Sequence, residues 1–302
     1  MDTPEITVVG SANLDLVVDV ASVPLVGETV LGGDLRRIPG GKGANQAVAA
    51  ARLGRRVAMV GRVGTDDGGT ILRGALDLDG VDTSALLDTP DTPNGVALIA
   101  VNADGDNAIV VSPGANARVN ANDVAAAGPL VSAATVVLLQ LEIPVEAVTA
   151  AAIAAGGTVI LNPAPAPPEP LPSALLEAVD ILVPNQTELA TLTGFDGSVD
   201  AGIAADLARR LPSPTVVVTL GGEGALVVTA DRSEHIPAPS VRPVDTTGAG
   251  DSFCGAMADA LVRGLDVFDA VRWAVRVGAV TTLRPGAQPS LPTAAEVDAL
   301  LG

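Results

Sequence analysis

Tyrosine is absent from this sequence, and cysteine, histidine and tryptophan each occur once. The single cysteine, Cys254, excludes an internal disulfide and fits a reducing compartment. No Phe, Trp or Tyr precedes Phe195, so the first part of the chain offers no aromatic surface on which a planar ligand could stack. Positive charge is scarce as well: Lys42 is the only lysine, 17 basic residues stand against 35 acidic ones, and the formal net charge is −18. Binding nucleic acid or an anionic membrane draws on clustered Lys and Arg, so neither is expected as a partner. An anionic substrate must then be held by local dipoles and a metal. No apolar run approaches the ~18 residues of a membrane span, and the N-terminal "MDTPEITVVG" lacks the basic segment that opens a signal peptide. A cytoplasmic protein is expected.

What is present is a globular composition, 48% hydrophobic, with turn residues spread throughout. Its 302 residues allow one large α/β domain or two smaller ones. The short runs "EITVVG", "RRVAMVG", "ATVVLLQLE", "GTVILNPAP", "VDILVPN" and "PTVVVTLGG" alternate with Ala-rich stretches. Strands apolar on both faces and separated by helices predict a mostly parallel sheet with helices on both sides. These strands end in polar or small residues: Asn13 and Asp15, Gln140 and Glu142, Asn162, Asn185, then Thr219 with Gly221 and Gly222. Ligands of open α/β sheets bind beyond the carboxyl ends of the strands, so these residues are expected to converge on one cleft. The rhythm breaks at "ETVLGGDLRRI" and at the pair "GVALIAVN" and "NAIVVSPG", which predict antiparallel strands, the last two joined by an "ADGD" hairpin turn. Together they predict a small β-flap over the cleft. Asp104 and Asp106 of that turn lack the glycine and distal glutamate of a calcium loop, so a plain turn is expected. The Pro-rich residues 162–172 predict a rigid loop, because strands with the same polar endings continue beyond it.

Three stretches carry chemistry. In "VDTTGAGDSFCGA", residues 244–256, the apolar residues Phe253, Ala256, Met257, Ala260 and Leu261 fall on one helical face, so a helix starts at or just before Asp251. The first N–H groups of a helix have no carbonyl partners within it, and the small residues before Asp251 leave room for an anion, with a carboxylate beside it. In "PGGKGANQAVAAARLG", residues 39–54, Gly40, Gly41 and Gly43 precede an Ala-rich helix that stops near Gly54. It is not a Walker loop, since position 36 is Arg and Lys42 is followed by glycine. Asn45 falls in its first turn. In "GSANLDLVVDV", residues 10–20, period-two alternation puts Asn13 and Asp15 on one face. With Glu142 these make an acceptor-rich set suited to several hydroxyls at once, which points to a polyol or sugar. His235 is expected on a solvated strand, Cys254 as a packed thiol, Phe268 and Trp273 in the core, and Gln140 as a solvated strand end.

"GGKGANQAVAA", "DTTGAGDSF", "NPAPA", "PNQTE", "TLGG" and "PGAQPS", in this order, resemble the signature regions of the ribokinase family of carbohydrate kinases, over about Ile6 to Leu300. The resemblance implies a single α/β domain over residues 1–302. This is a ribokinase-like three-layer sandwich with a mostly parallel sheet, helices on both faces and a discontinuous β-lid from about 15–38 and 94–111. It also implies phosphoryl transfer from ATP with Mg²⁺ to a sugar hydroxymethyl group, potassium as an activating monovalent cation, and a homodimer through the lid.

By matching position it makes Asp251 the general base, with Gly248, Ala249 and Gly250 supplying backbone N–H groups for phosphate charge. Asn13, Asp15, Gly41, Lys42, Asn45 and Glu142 resemble the sugar-binding set. Asn185 and Glu188 resemble the pair that organises magnesium through water. Thr219, Leu220, Gly221, Gly222, Glu223 and Gly224 resemble the nucleotide loop, which Asn185 and Gly250 would adjoin. Asp245, Thr247, Thr281, Arg284, Gly286 and Ser290 resemble the potassium site, partly through backbone carbonyls.

D-ribose, phosphorylated at its 5-hydroxymethyl group, is expected to be preferred. The flap has no aromatic residue for a nucleoside base, and Lys42 stands nearly alone where a sugar phosphate would need basic groups. Deoxyribose or another sugar remains the alternative substrate, and a non-catalytic sugar sensor the alternative of a different class.

Overall fold

The structure is a computed structural model that describes residues 3–102 and 107–301. Its strands, among the described residues, are β1 (Ile6–Val9), β2 (Asn13–Asp19), β3 (Arg36–Gly40), β4 (Val57–Gly64), β5 (Asp82–Thr89), β6 (Gly95–Val101) and β7 (Asn107–Ser112). They continue with β8 (Val136–Leu139), β9 (Thr158–Leu161), β10 (Ile181–Leu182), β11 (Thr215–Thr219), β12 (Ala225–Thr229) and β13 (Ser233–Ile236). Nine of them form one sheet in the order β13-β12-β11-β10-β9-β8-β1-β4-β5. From β11 to β5 every pairing is parallel, and only β12, paired antiparallel with both β11 and β13, runs the other way.

The central strands β1, β8 and β9 show no polar alternation because both faces are covered. Leu138 and Leu139 are neighbours in β8, both almost fully buried and facing opposite cores. Each contributes roughly 1.5–3 kcal/mol by leaving water. One core packs the sheet against the helices Lys42–Arg52, Asp67–Leu78, Ala249–Val262 and Val267–Thr281. The other packs it against the helices Val145–Ala154, Gln186–Thr193 and Ala201–Ala208, among others. The result is the three-layer α/β sandwich.

A second, four-stranded sheet has the order β3-β2-β6-β7. The segments "GVALIAVN" and "NAIVVSPG" pair antiparallel as β6 and β7, while β2 and β6 pair parallel. Of "ETVLGGDLRRI" only the end, Arg36–Gly40, becomes a strand; before it the chain makes one bridge, Val20 with Gly32. Gly32 and Gly33 supply no side chains to pack, and Leu31 is exposed, so nothing extends the ladder there. The "ADGD" turn with Asp104 and Asp106 lies outside the described residues. Residues 162–172 carry no helix or strand, as expected of the Pro-rich loop.

Phe268 and Trp273 differ from the expected core placement. Both are only partly buried at the core edge, with the guanidinium of Arg232 over the Phe268 ring and that of Arg263 over the Trp273 ring. His235 sits exposed on β13, Nε2 at 2.8 Å from the Glu223 carbonyl oxygen. No helix among the described residues is long and apolar enough to cross a membrane.

Candidate active site

β1 lies between β4 and β8, so successive crossovers leave it in opposite directions and a crevice opens at the carboxyl ends. Three residues after β1 the chain enters β2 of the second sheet, which brings Ser11, Asn13 and Asp15 to the crevice. The helix Lys42–Arg52 starts against them without a side-chain cap of its own. Glu142, reaching from beyond β8, fills that role: its Oε2 accepts from the Lys42 backbone N–H at 3.0 Å, the Ser11 hydroxyl at 2.6 Å and Asn13 Nδ2 at 3.5 Å. Asn13 is set from behind by Asn116, whose Nδ2 donates to Asn13 Oδ1 at 2.7 Å. That bond leaves the Asn13 amide N–H free to face Glu142.

This pocket holds an excess of negative charge. Burial, then the nearby Glu142 and Asp251, push the Asp15 carboxyl up to about 7. Burial works against the Lys42 ammonium, but Asp251, Glu142 and Glu188 together hold its pKa above the ordinary value. The sole lysine is thus the counter-charge of three carboxylates.

Asp251 stands in the first turn of the helix Ala249–Val262, which begins at Gly248 with φ 77 and no side-chain cap. A side chain at Gly248 would be strained in that left-handed conformation and would also approach Ala287 Cα at 3.3 Å. The Ala249 N–H is turned to the Thr246 carbonyl at 3.2 Å, so Gly250 and Asp251 carry the first-turn N–H groups that have no helical partner. Of the expected trio of donors, Ala249 is therefore engaged in the turn itself. Each Asp251 oxygen is held by a different amide: Oδ2 accepts from Asn45 Nδ2 at 2.9 Å and Oδ1 from Gln46 Nε2 at 3.3 Å. Burial raises the Asp251 pKa against the lowering effects of Lys42 and these two amides.

The helix start separates two connected cavities. One, of about 250 Å³, is polar and lined by Lys42, Asn162, Asn185, Glu188, Gly248 and Asp251, among others. The second, of about 470 Å³, is mostly apolar; Ala238, Pro239, Val241, Val275 and Ala279 wall it, and Gly221, Gly222 and Gly224 form its rim. Thr219, Thr246 and Gly250 line both. Leu220 and Glu223 of the expected nucleotide loop do not line it: Leu220 is buried in the core and the Glu223 side chain points to solvent.

Asn185 and Glu188 form a capping box at the helix Gln186–Thr193, Glu188 N–H to Asn185 Oδ1 and Asn185 N–H to Glu188 Oε2, both at 2.8 Å. Burial lifts the Glu188 pKa, with Asn185 and Lys42 opposing. Asp245 ties the loop before the Ala249–Val262 helix to residues 282–290. Its Oδ1 accepts from Thr247 N and Oγ1, and its Oδ2 from Gly286 N at 2.7 Å. Desolvation of Asp245 is outweighed by these bonds and by Arg36, so its pKa is lowered. The hydroxyls of Thr281 and Ser290 are spent on the Val277 and Ala287 carbonyls, and the Arg284 side chain pairs with Glu296.

Sequence reasoning missed Gln46, Ser11 and Asn116, and misplaced Gln140, which is fully buried and bonded to Gln46. Cys254 is a packed thiol as expected, its pKa raised by burial and by Asp251.

The model of the pfkB family of carbohydrate kinases matches residues 3–294. The ribokinase of Bacillus subtilis is 40% identical over 299 residues, covering 98% of this chain and 99% of the relative. A deoxyribokinase of Salmonella typhi is 38% identical, covering 96% of each chain. The solved structure of Arabidopsis thaliana ribokinase complexed with ribose and ATP has a TM-score of 0.89 at 34% identity, with 99% of each chain covered. With the buried aspartate at an uncapped helix start between a polar and an apolar cavity, this similarity is that of a whole chain, and the protein belongs to the pfkB family of carbohydrate kinases.

Proposed function

We propose that the chain transfers the γ-phosphoryl group of ATP to the 5-hydroxymethyl oxygen of D-ribose. The observation that carries this is the placement of Asp251, a buried carboxylate held by two amides at the junction of the two cavities. The sugar lies in the polar crevice, its hydroxyls met by Asn13, Asp15, Gly41, Lys42, Asn45 and Glu142. Asn45 Oδ1 is buried without a partner among the described residues, an acceptor left open for a hydroxyl. The adenine lies in the apolar cavity, with Thr219 and Gly221–Gly224 along it. Asp251 takes the proton of the hydroxymethyl group as that oxygen bonds to phosphorus and the bond to ADP breaks. The Gly250 and Asp251 backbone N–H groups at the helix start face the charge gathering on the transferred group.

As ligands Asn185 and Glu188 offer an amide and a carboxylate oxygen, and the described residues contain no cluster of three or more metal-ligating acids, His or Cys. That donor set fits Mg²⁺ carried on phosphates and bound through water. When bound, Mg²⁺ supplies charge neutralisation of the phosphates.

Initial rates with a panel of sugars test the reading. Ribose should give a higher kcat/KM than any nucleoside or phosphorylated hexose; a higher value for adenosine or a hexose phosphate would overturn it. A second reading, deoxyribose, draws support from the deoxyribokinase relative and is settled by the same panel.

We also read Asp245, Thr247, Thr281, Arg284, Gly286 and Ser290 as a monovalent-cation site that fixes the loop carrying Gly248. Potassium should then raise kcat at saturating ribose, and equal rates in potassium and tetramethylammonium would refute the site. The second sheet exposes Leu98 and Val110 on one face and Ile109 and Val111 on the other, with Leu31 nearby in sequence on the β2–β3 connection. These residues support its reading as the surface of a homodimer. A cytoplasmic location fits the unpaired Cys254.

A further inference from the structure

Gln46 and Gln140 are both fully buried, on elements 94 residues apart in sequence. A primary amide in the interior is costly unless its donors and acceptor are bonded. Gln46 is well satisfied: Oε1 accepts from Gln140 Nε2 at 2.7 Å, and Nε2 lies 3.3 Å from both Asp251 Oδ1 and Asn162 Oδ1. Gln140 is not, since its Oε1 is buried without a partner among the described residues. Room for it is made by Gly10, where a Cβ would stand 2.0 Å from that oxygen. A buried amide kept at such cost, with the backbone opposite stripped to glycine, is satisfying something other than itself.

The direction of the chain shows what that is. An ionised carboxylate only accepts, so Gln46 must turn its NH₂ to Asp251. Its carbonyl oxygen then faces Gln140, which must donate. Without Gln140, the Gln46 amide loses its shortest bond and is held only through Nε2, at 3.3 Å from Asp251 Oδ1 and Asn162 Oδ1, so Asp251 Oδ1 is restrained less firmly while Oδ2 keeps Asn45.

We propose that Gln140 is a positioning residue for phosphoryl transfer, acting through Gln46 to hold the plane of the Asp251 carboxylate against the sugar hydroxyl. A general base works only when its lone pair is within hydrogen-bond reach and aligned, and small misplacements lower the rate without touching affinity. The inference rests on the reading of Asp251 as base.

The test is the single-turnover rate of phosphoryl transfer, with kcat and both KM values, in Gln140→Met, Gln46→Met and the double variant. Gln140→Met should lower the single-turnover rate at least ~10-fold while KM for ribose and ATP stays within about twofold. The double variant should be no slower than Gln46→Met alone, because the first residue acts through the second. An unchanged rate, a loss confined to KM, or losses that multiply in the double variant would each overturn the proposal. Gln140→Leu keeps the bulk but has no donor; it must be slow too, and a native rate in it refutes the idea even if the Met variant fails to fold. Asp251→Asn run alongside separates the two readings: an active Asp251→Asn removes the base, whereas an inactive one beside a fully active Gln140→Met removes only this inference.

Discussion

Asp251→Asn is expected to lower kcat by at least ~10²–10⁴-fold, roughly 3–5 kcal/mol of barrier, while nucleotide and ribose still bind. Asparagine keeps the shape of the side chain but cannot take the proton as the sugar oxygen attacks. Its NH₂ would face one of two donors, Asn45 Nδ2 or Gln46 Nε2. Asn45 can turn over without losing another bond, because its Oδ1 has no partner among the described residues, so the variant should fold. Burial already disfavours the Asp251 charge, and its removal relieves repulsion of ATP phosphates, so nucleotide affinity should hold or rise. Calorimetry with ribose and a non-hydrolysable ATP analogue, beside a turnover assay, checks both halves. Near-native turnover would take the base away from Asp251, and a wild type that binds ribose without turnover would mark a sensor.

The sheet was legible because its central strands are apolar on both faces, as a covered parallel sheet requires. The run "ATVVLLQLE" places Leu138 and Leu139 in opposite cores, and of the polar residues that end the strands Asn162, Asn185 and Thr219 line the polar cavity, whereas Gln140 is buried. "ETVLGGDLRRI" misled because strand propensity does not create a pairing partner, and Gly32 and Gly33 gave the sheet nothing to pack.

Within the site, the carboxylates and glycines were visible since their chemistry is local. The supporting amides Gln46, Gln140 and Asn116 were not. Gln46 lies in an Ala-rich helix where a glutamine ordinarily faces water, and its burial follows only from the meeting of β8, β9 and the Asp251 helix, up to 205 residues away. The apolar cavity was hidden for a related reason. Val275, Gly278, Ala279 and Thr282 recur at helical spacing, which reads as a core-facing stripe, and nothing in that spacing tells a wall of protein from a wall of ligand.

Asp15→Asn should stabilise the protein with rising pH. The folded Asp15 carboxyl titrates at about 7 against 3.8 when unperturbed, because burial and then Glu142 and Asp251 oppose its charge. The folded state therefore binds this proton more tightly than the unfolded chain does. Stability from that proton is fully present below pH 3.8 and is lost as pH rises through 7. Each pH unit in that window costs ~1.4 kcal/mol, so the two units between pH 5 and 7 remove roughly 3 kcal/mol from the wild type that an asparagine does not lose. Urea unfolding of both proteins at pH 5 and pH 8 should show the Asn variant gaining on the wild type by about that amount, while its KM for ribose rises through loss of a hydroxyl acceptor. A gap between the two proteins that stays constant with pH would mean that Asp15 is ionised in the free fold throughout, and that Lys42 serves Asp15 as well as the three carboxylates whose charge it balances here.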